Sequence, residues 1–371
     1  MQFPYQHHVD LAYFRARAAL RQARSDSHER PLRDDFKSFY NRLPDRRNAL
    51  FMFFTGNLLH WVVRACKFVP QHVNLVLLGS DLSPDELGWL EANNPRPFHH
   101  ISERIDDNTA LDLIFEHAEH DFGWLHIDCF VLNPRLFDDM RRLPDDVAIN
   151  CIWTQPGFND LATLHSAFVF FNYRVLATLR QQGIEVYPGA FHYQGTASGR
   201  TETHRPLFSR IPNDRHLELL SQVLPMDSTG LPRYPKGCDY FQVLVLYQLV
   251  ANALGYRLQQ VRSLVRDGSG SADSFSSEII HANGAATYQK RHEAKADIAR
   301  FYPLHLQVDY ALLLAAGADL PTQYNELRAN LEAALARLGL PLEKVTAQLK
   351  AFLISKGVSD RSCAQVLGYA A

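Results

Sequence analysis

The sequence lacks the features that mark secreted, membrane-spanning and nucleic-acid-binding proteins. Its 371 residues include only five cysteines, an odd number without a CxxC pair, so neither a disulfide framework nor a zinc ribbon is expected. Basic and acidic residues nearly cancel, at 38 against 40, which excludes a general attraction to nucleic acid or anionic lipid. Residues 1–20 contain no apolar segment of signal-peptide or membrane-span length. We therefore expect a cytoplasmic protein with no membrane span and no nucleic-acid partner.

Two common catalytic signatures are also missing. The chain has neither a Gly-rich phosphate loop nor a GxSxG nucleophile elbow, and their absence narrows the possible enzyme classes. What is present is an ordinary globular composition, with 46% hydrophobic and 21% charged residues. The length favours one large domain with additions, or two domains.

The hydrophobic pattern changes character along the chain and predicts three parts. Apolar residues have helical spacing over 9–24, and the charged connector that follows has a short helix near residues 36–43. From residue 48 strands alternate with helices, the pattern of a mainly parallel sheet with covering helices. The last section is helical by period, with breaks at Pro303, Pro321, 339–341 and Gly357. The predicted parts are an N-terminal helical segment (1–47), an α/β domain (48–293) and a C-terminal helical section (294–371).

One segment of the α/β domain carries a solitary carboxylate inside an apolar run. The stretch from Trp124 to Pro134 reads as a strand buried on both faces, and it contains Asp128. Burying a carboxylate costs several kcal/mol unless a cation or hydrogen-bond donors compensate. Two interpretations stay open from this segment alone: a capped or Arg-paired strand-end residue, and a functional carboxylate.

Four segments, in this order, resemble landmarks of GT-A-fold nucleotide-sugar glycosyltransferases that end in an HxxG motif. They are the nucleoside-holding turn at 53–57, the DxD-bearing strand at 124–134, the strand near the donor sugar at 165–172, and the closing motif at 279–284, whose His reaches the metal. Most lie near an end of a predicted strand, which is where open α/β sheets bind ligands. The likeness covers roughly residues 48–290 and implies a GT-A-like sheet flanked by helices.

The resemblance implies a divalent metal site. Asp128 and His281 stand where the family has ligands, and an Asp/His set with open positions suits Mn²⁺ or Mg²⁺. Here His126 replaces the first Asp of the DxD motif. It is expected as a third ligand or as a donor to a ribose hydroxyl or phosphate, and the open alternatives are a core histidine and metal-independent action.

Further residues are assigned by the same resemblance. Those expected to bind the nucleotide are Phe54, Thr55, Gly56, Asn57, Arg104, His126, Asp128 and Gly284. Ser166 is expected near the donor sugar, and Asp239 is expected to face its hydroxyls, with Gln242 one helical turn further on. An equally open interpretation of Asp239 is a carboxylate stabilised by a helix N-terminus.

The implied enzyme is a metal-dependent, hexosyltransferase-like glycosyltransferase. Its donor is expected to be a UDP-sugar, its acceptor a saccharide, small molecule or protein, and its chemistry retaining, as in most HxxG-ending relatives. Two other classes stay open. One is a catalytically silent nucleotide- or sugar-binding protein on the same fold, and the other is a nucleotidyltransferase, which needs a basic Gly-rich segment early in the chain.

Overall fold

The computed structural model describes residues 19, 29–156, 162–184, 214–224, 226, 244–262, 274–282, 303–317 and 320–369. The predicted helix over 9–24, except for residue 19, lies outside these residues, and so do Asp239, Gln242 and Gly284. None of the helices in the described part of the chain combines the length and apolar character of a membrane span.

The strands form one large sheet and two small ones. Their bounds are β1 (Ala49–Thr55), β2 (Leu75–Ser80), β3 (Phe98–Ile101), β4 (Phe122–Leu125), β5 (Cys129–Val131), β6 (Val147–Cys151), β7 (Thr154–Pro156), β8 (Ala162–Leu164), β9 (Phe168–Phe171), β10 (Arg257–Gln260), β11 (Ser274–Phe275) and β12 (Ile279–His281). The large sheet has seven strands in the order β10-β6-β9-β4-β1-β2-β3, and the small ones have the orders β11-β12-β5 and β7-β8. Strand β1 pairs in parallel with β2, β2 with β3, and β6 with β10, whereas β6 and β9 are antiparallel.

The helices cover the sheet and build the C-terminal section. Their bounds are α1 (residues 29–42), α2 (Leu59–Cys66), α3 (Pro84–Asn93), α4 (Asp107–His117), α5 (Arg135–Met140), α6 (Tyr173–Gln181), α7 (Asp214–Val223), α8 (Val245–Ala253), α9 (Pro303–Ala316), α10 (Gln323–Arg337), α11 (Leu342–Ser355) and α12 (Asp360–Leu367). The predicted α/β class, with a mainly parallel sheet, flanking helices and a helical C-terminal section, is confirmed.

The chain divides into two compact units. The first comprises residues 1–48, 106–123 and 140–262. Its core contains a cluster of aromatic rings from α4, β4, β9 and α8, in which the Phe115 ring lies 4.9–5.3 Å from the other three: Phe122, Phe171 and Tyr247. Helix α1 packs on α4 in this unit, where Phe36 stacks on His117 at 5.9 Å and Arg33 pairs with Glu116.

The connector predicted before the α/β domain is more helical than expected. The sequence predicts one short helix near residues 36–43, but α1 runs over residues 29–42. Its buried residues have helical spacing, at Leu32, Phe36, Phe39 and Tyr40. The apolar stripe therefore outweighs the charged composition on which the connector prediction depended, and Pro31 lies in the first turn of α1, where proline is tolerated.

The second unit comprises residues 49–105, 124–139 and 263–371. It contains the parallel ladder of β1, β2 and β3, and the four C-terminal helices α9 to α12. Trp61 of α2 stacks on Phe130 of β5, with ring centroids 6.1 Å apart. Because strands covered by helices are buried on both faces, β2 is buried at every position. The three-part domain division stays a prediction.

Candidate functional site

The structure brings His126, Asp128 and His281 together in the second unit. One possible ligand atom from each residue lies within 4.8 Å of the other two. His281 Nε2 is 3.4 Å from Asp128 Oδ1, and His126 Nδ1 is 3.8 Å from the same oxygen. We call these three residues the His–Asp–His cluster. It is the only such group of three or more potential ligands among the described residues.

A turn and a short antiparallel pairing position the cluster. The single strand predicted across residues 124–134 is wrong, because the chain turns at residues 126–128 between β4 and β5, and the backbone N–H of Cys129 donates to the carbonyl of His126 at 3.1 Å. Strand β12 then pairs with β5, so that His281 lies opposite Cys129. The N–H of Ala282 donates to the Asp128 carbonyl at 3.0 Å. The turn at residues 126–128 and the end of β12, which are far apart in sequence, are thereby held next to each other.

Burial keeps the His126 imidazole of the cluster neutral. Asp128 and His281 are buried, with 5% and 0% of their surface exposed. Burial lowers the pKa of His126 to about 4, against the raising effect of the Asp128 carboxylate, while His281 lowers it further. The His126 imidazole is therefore neutral near pH 7, the form in which histidine binds metals. Two imidazoles and one carboxylate form a donor set that fits a divalent transition cation.

The neighbouring thiol does not belong to this donor set. Cys129 follows Asp128 directly and is fully buried. Burial raises the pKa of the Cys129 thiol well above its ordinary value, and the Asp128 carboxylate raises it further. The Cys129 thiol is not among the ligand atoms that converge in the cluster, so Cys129 acts here as a small buried residue.

Aromatic rings support the cluster, and sequence reasoning missed them. The buried Trp124 meets the His126 ring edge-on at 6.3 Å, and Phe53 of β1 stacks on Trp124 at 6.3 Å. The His126 and His281 rings lie 5.9 Å apart. Packing of this kind restricts the orientation of the His126 imidazole. Sequence position could have indicated them, because Trp124 and Phe53 each lie within two positions of a predicted site residue.

The turn after β1, predicted to hold the nucleoside, is fixed by packing and by hydrogen bonds. Phe54 packs its buried ring against Phe98 at 6.4 Å, so it offers a ligand only its backbone. Thr55 is buried at the end of β1. The N–H of Gly56 donates to the Ser80 carbonyl at 3.2 Å. The N–H of Asn57, a residue with left-handed backbone (φ 65°), donates to Glu86 Oε1 at 2.7 Å.

Two further predicted residues, Arg104 and Ser166, are not members of the His–Asp–His cluster. Arg104 is exposed on the loop after β3, and Ser80 holds that loop by donating to the Glu103 carbonyl at 2.8 Å and accepting from the Ile105 N–H at 2.9 Å. Ser166 is half-buried between β8 and β9 in the first unit. The assigned roles of Arg104 and Ser166 stay predictions.

Comparison with known proteins identifies the class of enzyme. Residues 26–176 match the family model of the StrH glycosyltransferase N-terminal domain. Over 370 residues the chain is 26% identical to dTDP-dihydrostreptose--streptidine-6-phosphate dihydrostreptosyltransferase of Streptomyces griseus, and the match covers 90% of this chain and 93% of that relative. These two matches confirm the predicted enzyme class, a glycosyltransferase.

Similarity to solved structures is low. The glycosyltransferase GlyE of Streptococcus pneumoniae TIGR4 gives a TM-score of 0.27 at 13% identity, over 38% of this chain and 37% of that chain. HddC from Yersinia pseudotuberculosis gives 0.25 at 10% identity, over 35% of this chain and 79% of that chain. The chain therefore spans well under half of the length of GlyE, and likenesses at this level have no bearing on function.

Proposed function

We propose that this chain is a metal-dependent glycosyltransferase of GT-A-like fold that transfers a sugar from a nucleoside diphosphate donor. His126, Asp128 and His281 hold the divalent cation, with HxD in place of the DxD motif. The observation that supports this proposal is the convergence of two imidazoles and a buried carboxylate, with ligand atoms within 4.8 Å of one another. The sequence match to a glycosyltransferase family over residues 26–176 provides the reaction class.

The chemistry of sugar transfer explains the need for such a site. A nucleoside diphosphate carries negative charge that grows as the bond to the sugar breaks, and a bound Mn²⁺ or Mg²⁺ neutralises this charge. The residues of the chain hold and orient this group. Asp128 supplies the anionic ligand, the neutral imidazole of His126 supplies nitrogen, and Trp124 restricts the ring of His126.

For the donor we propose a pyrimidine nucleoside diphosphate sugar. The Streptomyces griseus relative is named for a dTDP-linked sugar and a phosphorylated small-molecule acceptor. The resemblance of the motifs favoured a UDP-sugar, and dTDP and UDP present the same diphosphate to the cation. We therefore propose dTDP-sugars first and UDP-sugars second, a phosphorylated small molecule as acceptor, and retention of anomeric configuration.

The test is donor hydrolysis and transfer over a panel of dTDP- and UDP-sugars, with Mn²⁺, with Mg²⁺ and with chelator. The unmodified chain is expected to turn over at least one donor only with metal, and Asp128→Asn is expected to lose that activity. Asp138→Asn is the matched control, because Asp138 also faces a histidine, His72, at 3.6 Å in an exposed pair away from the cluster. NMR of the product determines its anomeric configuration.

Three outcomes would overturn the proposal or its central residue. If no nucleotide binds in a metal-dependent way and no donor is hydrolysed, the chain is a silent protein on this fold. Release of pyrophosphate instead of a nucleoside diphosphate would identify a nucleotidyltransferase. Full metal-dependent turnover in Asp128→Asn would remove the central residue of the proposed site.

A further inference from the structure

The C-terminal helical section reaches the turn predicted to hold the nucleoside through a buried glutamate. Glu86 of α3 has 1% of its surface exposed. Its Oε1 accepts from the Asn57 N–H at 2.7 Å and from the hydroxyl of Tyr324 on α10 at 2.6 Å. Its Oε2 accepts from the Ser83 N–H at 2.9 Å. One carboxylate thus joins the turn, the start of α3 and the start of α10.

Tyr324 takes part in two of these connections. Its hydroxyl donates to Glu86 and accepts from the N–H of Leu59, the first residue of α2, at 2.9 Å. Burial raises the pKa of Tyr324 well above its ordinary value, and the Glu86 carboxylate raises it further. The hydroxyl therefore keeps its proton at neutral pH and can donate to Glu86.

Gln323 reaches the turn with its side chain. Its Nε2 donates to Asn57 Oδ1 at 2.8 Å, and its Oε1 accepts from the Ser83 hydroxyl at 2.7 Å. Asn57 has a left-handed backbone with φ of 65°, a conformation that is uncommon outside glycine and needs support from its surroundings. Both its main-chain N–H and its side chain are held, one by Glu86 and the other by Gln323.

We infer that Gln323 and Tyr324 are positioning residues for the donor nucleotide, acting through Glu86 and Asn57 on the Gly56–Asn57 turn. This inference rests on the proposed function and on the predicted role of that turn in holding the nucleoside. Under this inference the C-terminal helical section contributes to the donor site. These residues do not touch the reacting atoms, so their loss affects donor binding and leaves the chemical step unchanged.

The experiment measures dTDP and UDP binding by calorimetry in the presence of Mn²⁺, together with donor KM and kcat, for Gln323→Ala and Tyr324→Phe. Each variant is expected to weaken nucleotide binding by about fivefold or more, since it removes hydrogen bonds worth roughly 1 kcal/mol each. Donor KM rises by the same factor and kcat stays unchanged. Thermal unfolding without ligand records the stability of each variant.

The matched control is Tyr310→Phe. Tyr310 of α9 donates to Glu332 of α10 at 3.2 Å, so this variant removes a tyrosine–glutamate hydrogen bond from the same helical section without touching the turn. It is expected to bind nucleotide like the unmodified chain. Unchanged affinity in both Gln323→Ala and Tyr324→Phe, or an equal loss in Tyr310→Phe, would overturn this inference alone. Absence of nucleotide binding by the unmodified chain would instead overturn the proposed function.

Discussion

At the scale of single residues, the proposed metal site depends most on Asp128. It is buried, it lies in a turn, and it is within 3.8 Å of one imidazole nitrogen and 3.4 Å of another. A carboxylate in such a place needs compensating charge or hydrogen bonds. The main-chain carbonyl of Asp128 accepts a hydrogen bond from the Ala282 N–H at 3.0 Å. This bond fixes the backbone that carries the carboxylate.

The nature of the donor set leads to a prediction for His126→Asp. Mg²⁺ prefers oxygen ligands, whereas imidazole suits transition metals. Exchanging one of two imidazoles for a carboxylate is therefore expected to raise the affinity for Mg²⁺ relative to Mn²⁺. Electron paramagnetic resonance of bound Mn²⁺, titrated with Mg²⁺, measures this ratio. His72→Asp, which lies outside the cluster, is the control. An equal ratio of Mg²⁺ to Mn²⁺ affinity in the unmodified chain, His126→Asp and His72→Asp would mean that His126 is not a ligand.

Gly56 leads to a second prediction at this scale. A Cβ atom at this position would lie 2.6 Å from the Asp81 carbonyl oxygen, which is backbone and cannot rotate away. Gly56→Ala is therefore expected to destabilise the protein by roughly 1–3 kcal/mol, as overpacking does. Gly88→Ala is the matched control, because a Cβ there meets nothing within 4 Å and alanine favours the helix. Urea unfolding compares the two, and equal midpoints would contradict this account of the turn.

At the scale of elements, local signals predicted helix starts well. The start of α3 can be read from its sequence, because Ser83 is a favourable N-cap and Pro84 a favourable first helical residue, and the structure contains the full capping box, with the Ser83 side chain accepting from the Glu86 N–H. The apolar runs also predicted most strands of the large sheet, because a buried parallel strand leaves a continuous hydrophobic signature. The breaks at Pro321 and Gly357 separate helices as expected.

What the sequence could not predict depends on contacts distant in the chain. The run from Trp124 to Pro134 indicates burial but not direction, so nothing local shows that it turns and that β5 pairs with β12 in another sheet. The association of Asp128 with His281 came from family resemblance, since no spacing rule links residues so far apart. Likewise, no pattern near Glu86 points to Tyr324 as its hydrogen-bond partner.

The cap of α3 leads to a prediction at the element scale. Ser83→Ala removes the N-cap, which is worth about 1 kcal/mol, and also the hydrogen bond from Ser83 to Gln323. Ser359 caps α12 by accepting from the Ser362 N–H, in an exposed setting. Ser83→Ala is therefore expected to lower the free energy of unfolding by more than Ser359→Ala. Chemical denaturation measures both, and an equal loss would mean that the Gln323 contact adds no stability.

At the scale of the whole molecule, buried polar groups join distant parts of the chain within the second unit. Asp309 of α9 accepts from the indole N–H of Trp61 at 2.7 Å and pairs with His60, both on α2. Asp309 and Glu86 are therefore two buried carboxylates that connect the C-terminal helices to α2 and α3, which lie far earlier in the sequence. Removing one donor would leave a buried carboxylate with a hydrogen bond unsatisfied, which costs about 1–3 kcal/mol. The C-terminal section is thus integral to the stability of this unit.

Binding of metal and nucleotide is expected to raise the stability of the folded chain. A ligand that binds only the folded state stabilises it by about 2.7 kcal/mol when present at 100 times its Kd. Mn²⁺ with dTDP is expected to raise the unfolding temperature of the unmodified chain and of Asp138→Asn, whose exposed pair with His72 lies apart from the cluster. Asp128→Asn is expected to lose this metal-dependent rise, because the anionic ligand is gone. Scanning calorimetry with and without chelator measures the effect, and an equal rise in Asp128→Asn would place the metal elsewhere than on the His–Asp–His cluster.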